Sequence, residues 1–331
     1  MSATKRLKGG GPQGSTKGVL SYMSQSNDNT DCVPEDDRYK YFDDATVLEV
    51  INLLNIGLSS YRVWDRIPSN IPDHNQFIQG KHLKSQEYLH QINKWTEANL
   101  MELNEKKTKS MIFNFSKKHK FTTDLMLKNQ RIEVVEQAKL LGLILTSDLK
   151  WNENTNFLVK DANRRMVMLR AASKFTSDKF VLKQIYYTRI RCKLEQSAAV
   201  WSSSLTQKNI NDLERVQKSA VRIIIGKPYE SYSQALKELD MKRLTERREL
   251  ICLKFAKNCL KIHNFKKLFT TNNNMHDMQT RQHEKYKVIR NYGKRYAISS
   301  IPSMQRLLNK EHKKQKEALK SLLSPTNYAL F

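Results

Sequence analysis

Cysteine is scarce in this sequence: four residues in 331, at Cys32, Cys192, Cys252 and Cys259, with no paired short spacing. That pattern argues against a disulfide framework and a zinc site. Free thiols fit a reducing compartment inside the cell, nucleus or cytoplasm, rather than secretion. The eight histidines show no metal-ligand spacing either. No apolar run approaches the roughly 18 residues a membrane helix needs. No charged-then-apolar leader is present, and internal repeats are lacking. Acids are what the second half lacks. Residues 151–331 hold 37 Lys and Arg against 15 Asp and Glu, whereas residues 1–150 hold 21 against 18. An excess of +22 in one half points to a polyanionic partner, nucleic acid being the usual one. A membrane surface fits less well, because the basic segments also carry acids and their apolar faces read as core. A basic surface that only confers solubility gives the same count.

What is present is organised around Lys40-Tyr41-Phe42-Asp43-Asp44-Ala45-Thr46-Val47-Leu48. Two carboxylates between aromatic and β-branched residues have the composition of a strand–turn–strand hairpin. Asp43 and Asp44 at such a tip can approach one ion, and Mg²⁺ favours carboxylate plus phosphate oxygens. An ordinary acidic turn has the same composition. About thirty residues upstream lies Gly10-Gly11-Pro12-Gln13-Gly14-Ser15, where glycine allows backbone close to a ligand. A basic turn, Lys106-Lys107-Thr108-Lys109, then feeds an expected strand of alternating Met111 and Phe113. Further on, Ala138 to Leu145 leads to Leu149-Lys150-Trp151, and Gly142 is expected within a strand, where glycine permits close backbone approach.

In this order and separation the four motifs resemble the reverse transcriptases of non-LTR (LINE-type, jockey-like) retrotransposons. The resemblance covers about Gly10 to Trp151, and more loosely the helical part to about residue 310. It implies an RNA-directed DNA polymerase using Mg²⁺ or Mn²⁺, with an RNA template, a DNA primer and dNTPs as partners and substrates. It places Pro12, Gln13 and Gly14, with Tyr41 and Phe42, beside the templating base and incoming nucleotide. It makes Asp43 and Asp44 the metal-binding catalytic pair. It assigns Lys107 (Lys106 being the alternative) to neutralising or protonating departing pyrophosphate, and Leu141 with Gly142 to the primer grip. The family uses a further, earlier Asp and a fingers region. Residues 1–9 hold no acid to substitute, so these residues are expected to be a C-terminal fragment that is inactive alone. A nucleic-acid-binding remnant without catalysis is the alternative.

From Asn154 the period becomes helical. Leu158, Ala162, Met166 and Leu169 mark one face. Asp178 is placed to cap a helix carrying Leu182, Ile185, Ile190, Leu194, Ala198 and Trp201. Thr206 is placed to cap another with Ile210, Leu213, Val216, Ala220 and Ile223 inside, and Gly226 is its stop. Leu244, Ile251, Phe255 and Cys259 define one more, with Arg247 and Arg248 expected outward. Arg164 and Arg165, and then Arg215, Lys218 and Arg222 at spacings of three and four, are the expected contacts to phosphates. Asn264 to Gln282 is expected to be poorly ordered. Arg290, Lys294 and Arg295 interleave with Tyr292 and Tyr296 in a mixture suited to stacking bases. A basic helix from Ala297 to Leu323 is expected to be interrupted at Pro302. The expected class is α+β: a partial palm of antiparallel sheet and helices over 1–151, an all-α thumb over 152–262, and a basic extension over 263–331.

Overall fold

The computed structural model describes residues 38–41, 44–47, 84–114, 123–271, 285–288 and 294–322. Helices and short strands are mixed in it, an α+β composition. The chain forms two compact units, Met1–Ala138 and Lys139–Phe331. The expected thumb and C-terminal extension thus share the second unit.

In the first unit, β1 (Arg38–Tyr41) and β2 (Asp44–Val47) form an antiparallel hairpin. Its pairs run from Arg38 opposite Val47 to Tyr41 opposite Asp44. Tyr, Thr and Val are residues that pleated backbone accommodates well. The expected Gly-rich loop lies outside the described residues. Helix α1 (Lys84–Ala98) buries Tyr88, Ile92 and Thr96, each four residues after the last. It ends at Ala98. Leu100 takes a left-handed φ of 56°, and the Met101 and Leu100 N–H groups donate to the carbonyls of Thr96 and Glu97. This is a Schellman stop with leucine where glycine is usual. The Gln86 side-chain amide both donates to the Met126 carbonyl and accepts from its N–H, each at 2.8 Å. That double bond ties α1 to β4 (Met126–Leu127), which turns through Lys128 into β5 (Gln130–Arg131). Strand β3 is Lys109–Ser110 rather than Met111–Phe113, and it pairs in parallel with β6 (Glu133–Val134). The strands of the described residues form four separate two-stranded pairs, where one antiparallel palm sheet was expected. Strands of two to four residues offer few backbone groups to recruit a neighbour.

The second unit begins within the hairpin of β7 (Gln137–Leu140) and β8 (Leu143–Thr146). Asn154 accepts the Ile144 N–H at 3.1 Å, and Trp151 is buried, so this hairpin is built into the helical body. After β8, Asp148 accepts from Thr146 Oγ1 at 2.7 Å and from the Lys150 N–H at 3.0 Å. Its ion pair with Lys150 and these hydrogen bonds hold its carboxyl at about 2, below the ordinary carboxylate range.

Helix α2 (Asn152–Ala172) buries Leu158, Ala162, Met166 and Leu169, the expected face. Asp178 caps α3 (Lys179–Ile185) by accepting the Phe180 N–H. A π-helical stretch follows, Tyr186–Arg191, and then α4 (Cys192–Leu194) and α5 (Ala198–Trp201). The buried positions Leu182, Tyr186, Ile190, Leu194 and Ala198 recur every four residues. At 3.6 residues per turn that stripe would drift by roughly 40° per step. The wider π turn resets the drift and brings Tyr186 into the core while Ile185 stays half-buried.

Thr206 caps α6 (Gln207–Ile225), whose buried side carries Leu213, Val216 and Ala220, and Gly226 stops it at a φ of 74°. Helices α7 (Tyr232–Glu238) and α8 (Leu244–Cys259) follow. The buried face of α8 is Leu244, Arg248, Cys252, Ala256 and Cys259. Arg248 is therefore inside, only 2% exposed, against the outward expectation, and Phe255 is 45% exposed.

The C-terminal part packs on α8. Residues 264–271, expected to be poorly ordered, include the end of α9 (His263–Lys266) and a buried Phe269. Residues 272–282 lie outside the described residues. Phe269, Tyr286, Met304 and Leu308 form a second core cluster with Cys252, Ala256 and Cys259. After α10 (Lys294–Ala297) comes α11 (Ser300–Leu322). Pro302 lies in its first turn, where the missing N–H has no intrahelical partner to lose, so it does not interrupt the helix.

Candidate nucleic-acid interface

On α6 the spacing of three and four puts Arg215, Lys218 and Arg222 on one face, and all three are exposed. The opposite face is held in the core by Leu213, Val216 and Ala220, so the cations cannot turn inward. Beside them stand two tyrosines from the segment after Gly226. Lys218 Nζ is 5.4 Å from the Tyr232 ring centre, and the Arg243 guanidinium is 5.6 Å from the same ring. Arg222 lies 5.1 Å from the ring of Tyr229. Four cations thus gather on a surface with two aromatic rings. Among the described residues Arg215 is ion-paired, with Asp212 at 3.3 Å, and Lys218 and Arg222 are not. At the exposure of Arg215 such a pair holds it weakly.

Tyr232 is fixed from below. Its hydroxyl donates to Glu214 Oε1 and accepts from Gln217 Nε2 at 2.8 Å. Gln217 also donates to the Lys242 carbonyl at 3.0 Å and accepts from the Tyr186 hydroxyl at 2.7 Å. Glu214 further accepts the Leu244 N–H at 3.2 Å. Burial pushes both phenols well above their ordinary range, Tyr186 chiefly by desolvation and Tyr232 by desolvation and then Glu214. Both rings stay neutral and keep their hydroxyl protons. The Tyr232 ring is thus held by its hydroxyl, with Lys218 and Arg243 beside it.

On α2, Arg164 is exposed and makes no ion pair among the described residues, whereas half-buried Arg165 donates to Asp161 at 3.0 Å. Arg247 and Arg248 contribute nothing to an outward rail. Arg247 grips Glu195 with two nitrogens, and that carboxylate holds it firmly charged.

The remaining sequence-derived residues fall in several places. Asp44 opens β2 opposite Tyr41, while Phe42 and Asp43, the two residues between the strands, lie outside the described residues. Pro12, Gln13 and Gly14 also lie outside them, as do Arg290 and Tyr292. Lys107 is exposed in a turn whose N–H groups donate to Asn104, and its side chain makes no ion pair among the described residues. Leu141 and Gly142 are the turn of the hairpin, not strand. Their φ values of 48° and 83° fit a two-residue turn with both residues left-handed. A Cβ on Gly142 would stand 2.6 Å from Gln196 Nε2, so the chain itself accounts for this glycine. Arg295 and Tyr296 are exposed or nearly so at α10.

Arg243, Tyr229 and Tyr232 were not legible as site residues. Their signal was the Tyr-x-x-Tyr spacing just after a helix-stopping glycine, which folds them back along α6. Among the described residues no three His, Cys, Asp or Glu side chains gather to hold a metal ion. No described helix is long and apolar enough to cross a membrane. No protein-family model matches the chain, and neither a curated protein nor a solved structure matches it.

Proposed function

We propose that the chain belongs to an RNA-directed DNA polymerase, the first unit carrying metal-binding carboxylates and the second gripping nucleic acid. The observation that carries the reading is the antiparallel strand pairing that sets Tyr41 opposite Asp44. It is the backbone that an aromatic-x-Asp-Asp tip needs. Asp43 and Asp44 would hold Mg²⁺ or Mn²⁺, which supplies charge neutralisation for phosphoryl transfer when bound. Lys107, an exposed cation on a tight turn, is suited to neutralising pyrophosphate. The surface around Tyr229 and Tyr232 suits phosphate contacts that position a duplex without reading its sequence.

Two of the family's three acids are found in residues 1–331, so these residues alone should not extend a primer in Mg²⁺ or Mn²⁺. Robust extension that Asp43→Ala abolishes would overturn that expectation. The reading is tested by binding. An RNA–DNA hybrid should bind with steep salt dependence, each phosphate contact adding about −0.9 to the log–log slope on B-DNA. Replacing Arg215, Lys218 and Arg222 with alanine should make that slope shallower by roughly 2 to 3. Mn²⁺ should broaden the NMR signals of Asp43 and Asp44 selectively, and Asp43→Asn should remove the effect. Salt-independent binding, or broadening unrelated to this tip, refutes it. If binding holds and broadening fails, the non-catalytic binding reading replaces it, because the basic surface stands without the hairpin.

A further inference from the structure

A cavity of about 320 Å³ lies in the second unit, between the 3₁₀ turn Ser202–Ser204, α8 and the first turns of α11. Its volume is at the lower end of small-ligand sites. Arg248 lines it, and the residue is 98% buried on its 2% exposure. Among the described residues the Nη1 of Arg248 has no hydrogen-bond partner, and neither does the buried Oγ of Ser203, which also lines the cavity. Arginine keeps its charge in proteins, so an unpartnered nitrogen here is an unmet demand for an acceptor.

The nearby acids do not meet it. Glu195 is taken by both nitrogens of Arg247 and lies 3.8 Å from Arg191. Glu214 accepts from the Tyr232 hydroxyl and the Leu244 N–H. The Trp201 ring, 6.0 Å from the guanidinium, covers its face and leaves the edge unmet. Around the cavity stand two more cations, Arg306 and Lys310, against one acid, Glu249. Arg306 bonds the Ala297 carbonyl, while Lys310 makes no ion pair among the described residues. The N-terminal end of α11, a helix of 23 residues, adds positive potential from its first turn.

We propose that this cavity is an oxyanion site that takes a phosphoryl group, with Arg248 as the buried anchor and Ser203 and Lys310 completing its reach. The proposal does not depend on the polymerase reading. The phosphoryl group comes either from free phosphate or from a phosphodiester of bound nucleic acid.

Inorganic phosphate is the probe, titrated into the full chain by calorimetry and by thermal unfolding, with sodium chloride at matched ionic strength as reference. Saturable binding at millimolar phosphate, with a melting temperature that climbs only with phosphate, is expected. Arg248→Met, which keeps length and removes the charge, should abolish both. Lys310→Ala, at an exposed position that leaves the fold intact, should weaken binding by about tenfold. No saturable binding to the wild-type chain would overturn the proposal. So would equal phosphate stabilisation of wild type and Arg248→Met, or, if that variant does not fold, unchanged binding by Lys310→Ala. Displacement of phosphate by duplex nucleic acid identifies the phosphodiester source, and simultaneous binding identifies free phosphate.

Discussion

Gly142→Ala separates two reasons for a glycine at the tip of the β7–β8 hairpin. An alanine there keeps a φ of 83° and so takes on the left-handed penalty, about 1–2 kcal/mol for an L residue. Its Cβ would also sit 2.6 Å from Gln196 Nε2. That atom ends a flexible side chain whose bond to Lys193, at 3.3 Å, is long, so swinging it aside costs about 0.5–1 kcal/mol. The sum is roughly 2 kcal/mol, to be read as a lower urea midpoint at unchanged slope. In a Gln196→Ala background the steric part disappears and about 1–2 kcal/mol should remain. If the loss vanishes in that background, the backbone argument is wrong. Affinity for an RNA–DNA hybrid should change less than about twofold, because the local turn already explains the glycine. A large affinity loss beside an intact fold would refute this account and restore the expectation that a primer backbone passes over the residue.

Tyr232→Phe removes a hydroxyl shared by Glu214 and Gln217 while keeping the ring beneath Lys218 and Arg243. It should destabilise by about 1–3 kcal/mol in chemical unfolding, the cost of unmet buried polar groups, with hybrid binding retained. The Asp148 carboxyl at about 2 lies below its ordinary 3.8. Its stabilisation is therefore present above pH 3.8 and is lost as pH falls through about 2, and urea midpoints in that window should flatten in Asp148→Asn. Leu100→Gly should raise stability by about 1 kcal/mol, since Leu100 holds a left-handed stop and its side chain is 97% exposed. An unchanged melting temperature would count against that assignment.

Much of the helical unit was legible because its signals are local. The caps at Asp178 and Thr206 and the stop at Gly226 depend on neighbours within a few residues, and the α2 stripe has a clean period. Arg248 was illegible for the opposite reason. A charge on a helix is outward by default, and only the packing of α8 against the Ser202–Ser204 turn and α11 puts it inside. Gly142 was placed in a strand because Leu140 to Leu145 is one apolar run, which conceals a two-residue turn. Phe255 was taken for core on helical spacing, but the α8 stripe follows steps of four through Cys252 and Ala256. Of the candidate site, the shared exposed face of the α6 cations was readable from spacing alone. Arg243 and the two tyrosines needed the fold-back after Gly226.

The wide turn at Tyr186–Arg191 has a consequence for insertions and deletions. It stores one surplus residue, as a vernier stores a fraction of a division. Deleting Thr188, which is exposed, should let the segment close as ordinary α-helix and leave Ile190, Leu194 and Ala198 near their present angle about the axis, whereas the same deletion in a regular α-helix would swing them by roughly 100°. A single codon lost there should therefore disturb the core less than one lost from α2.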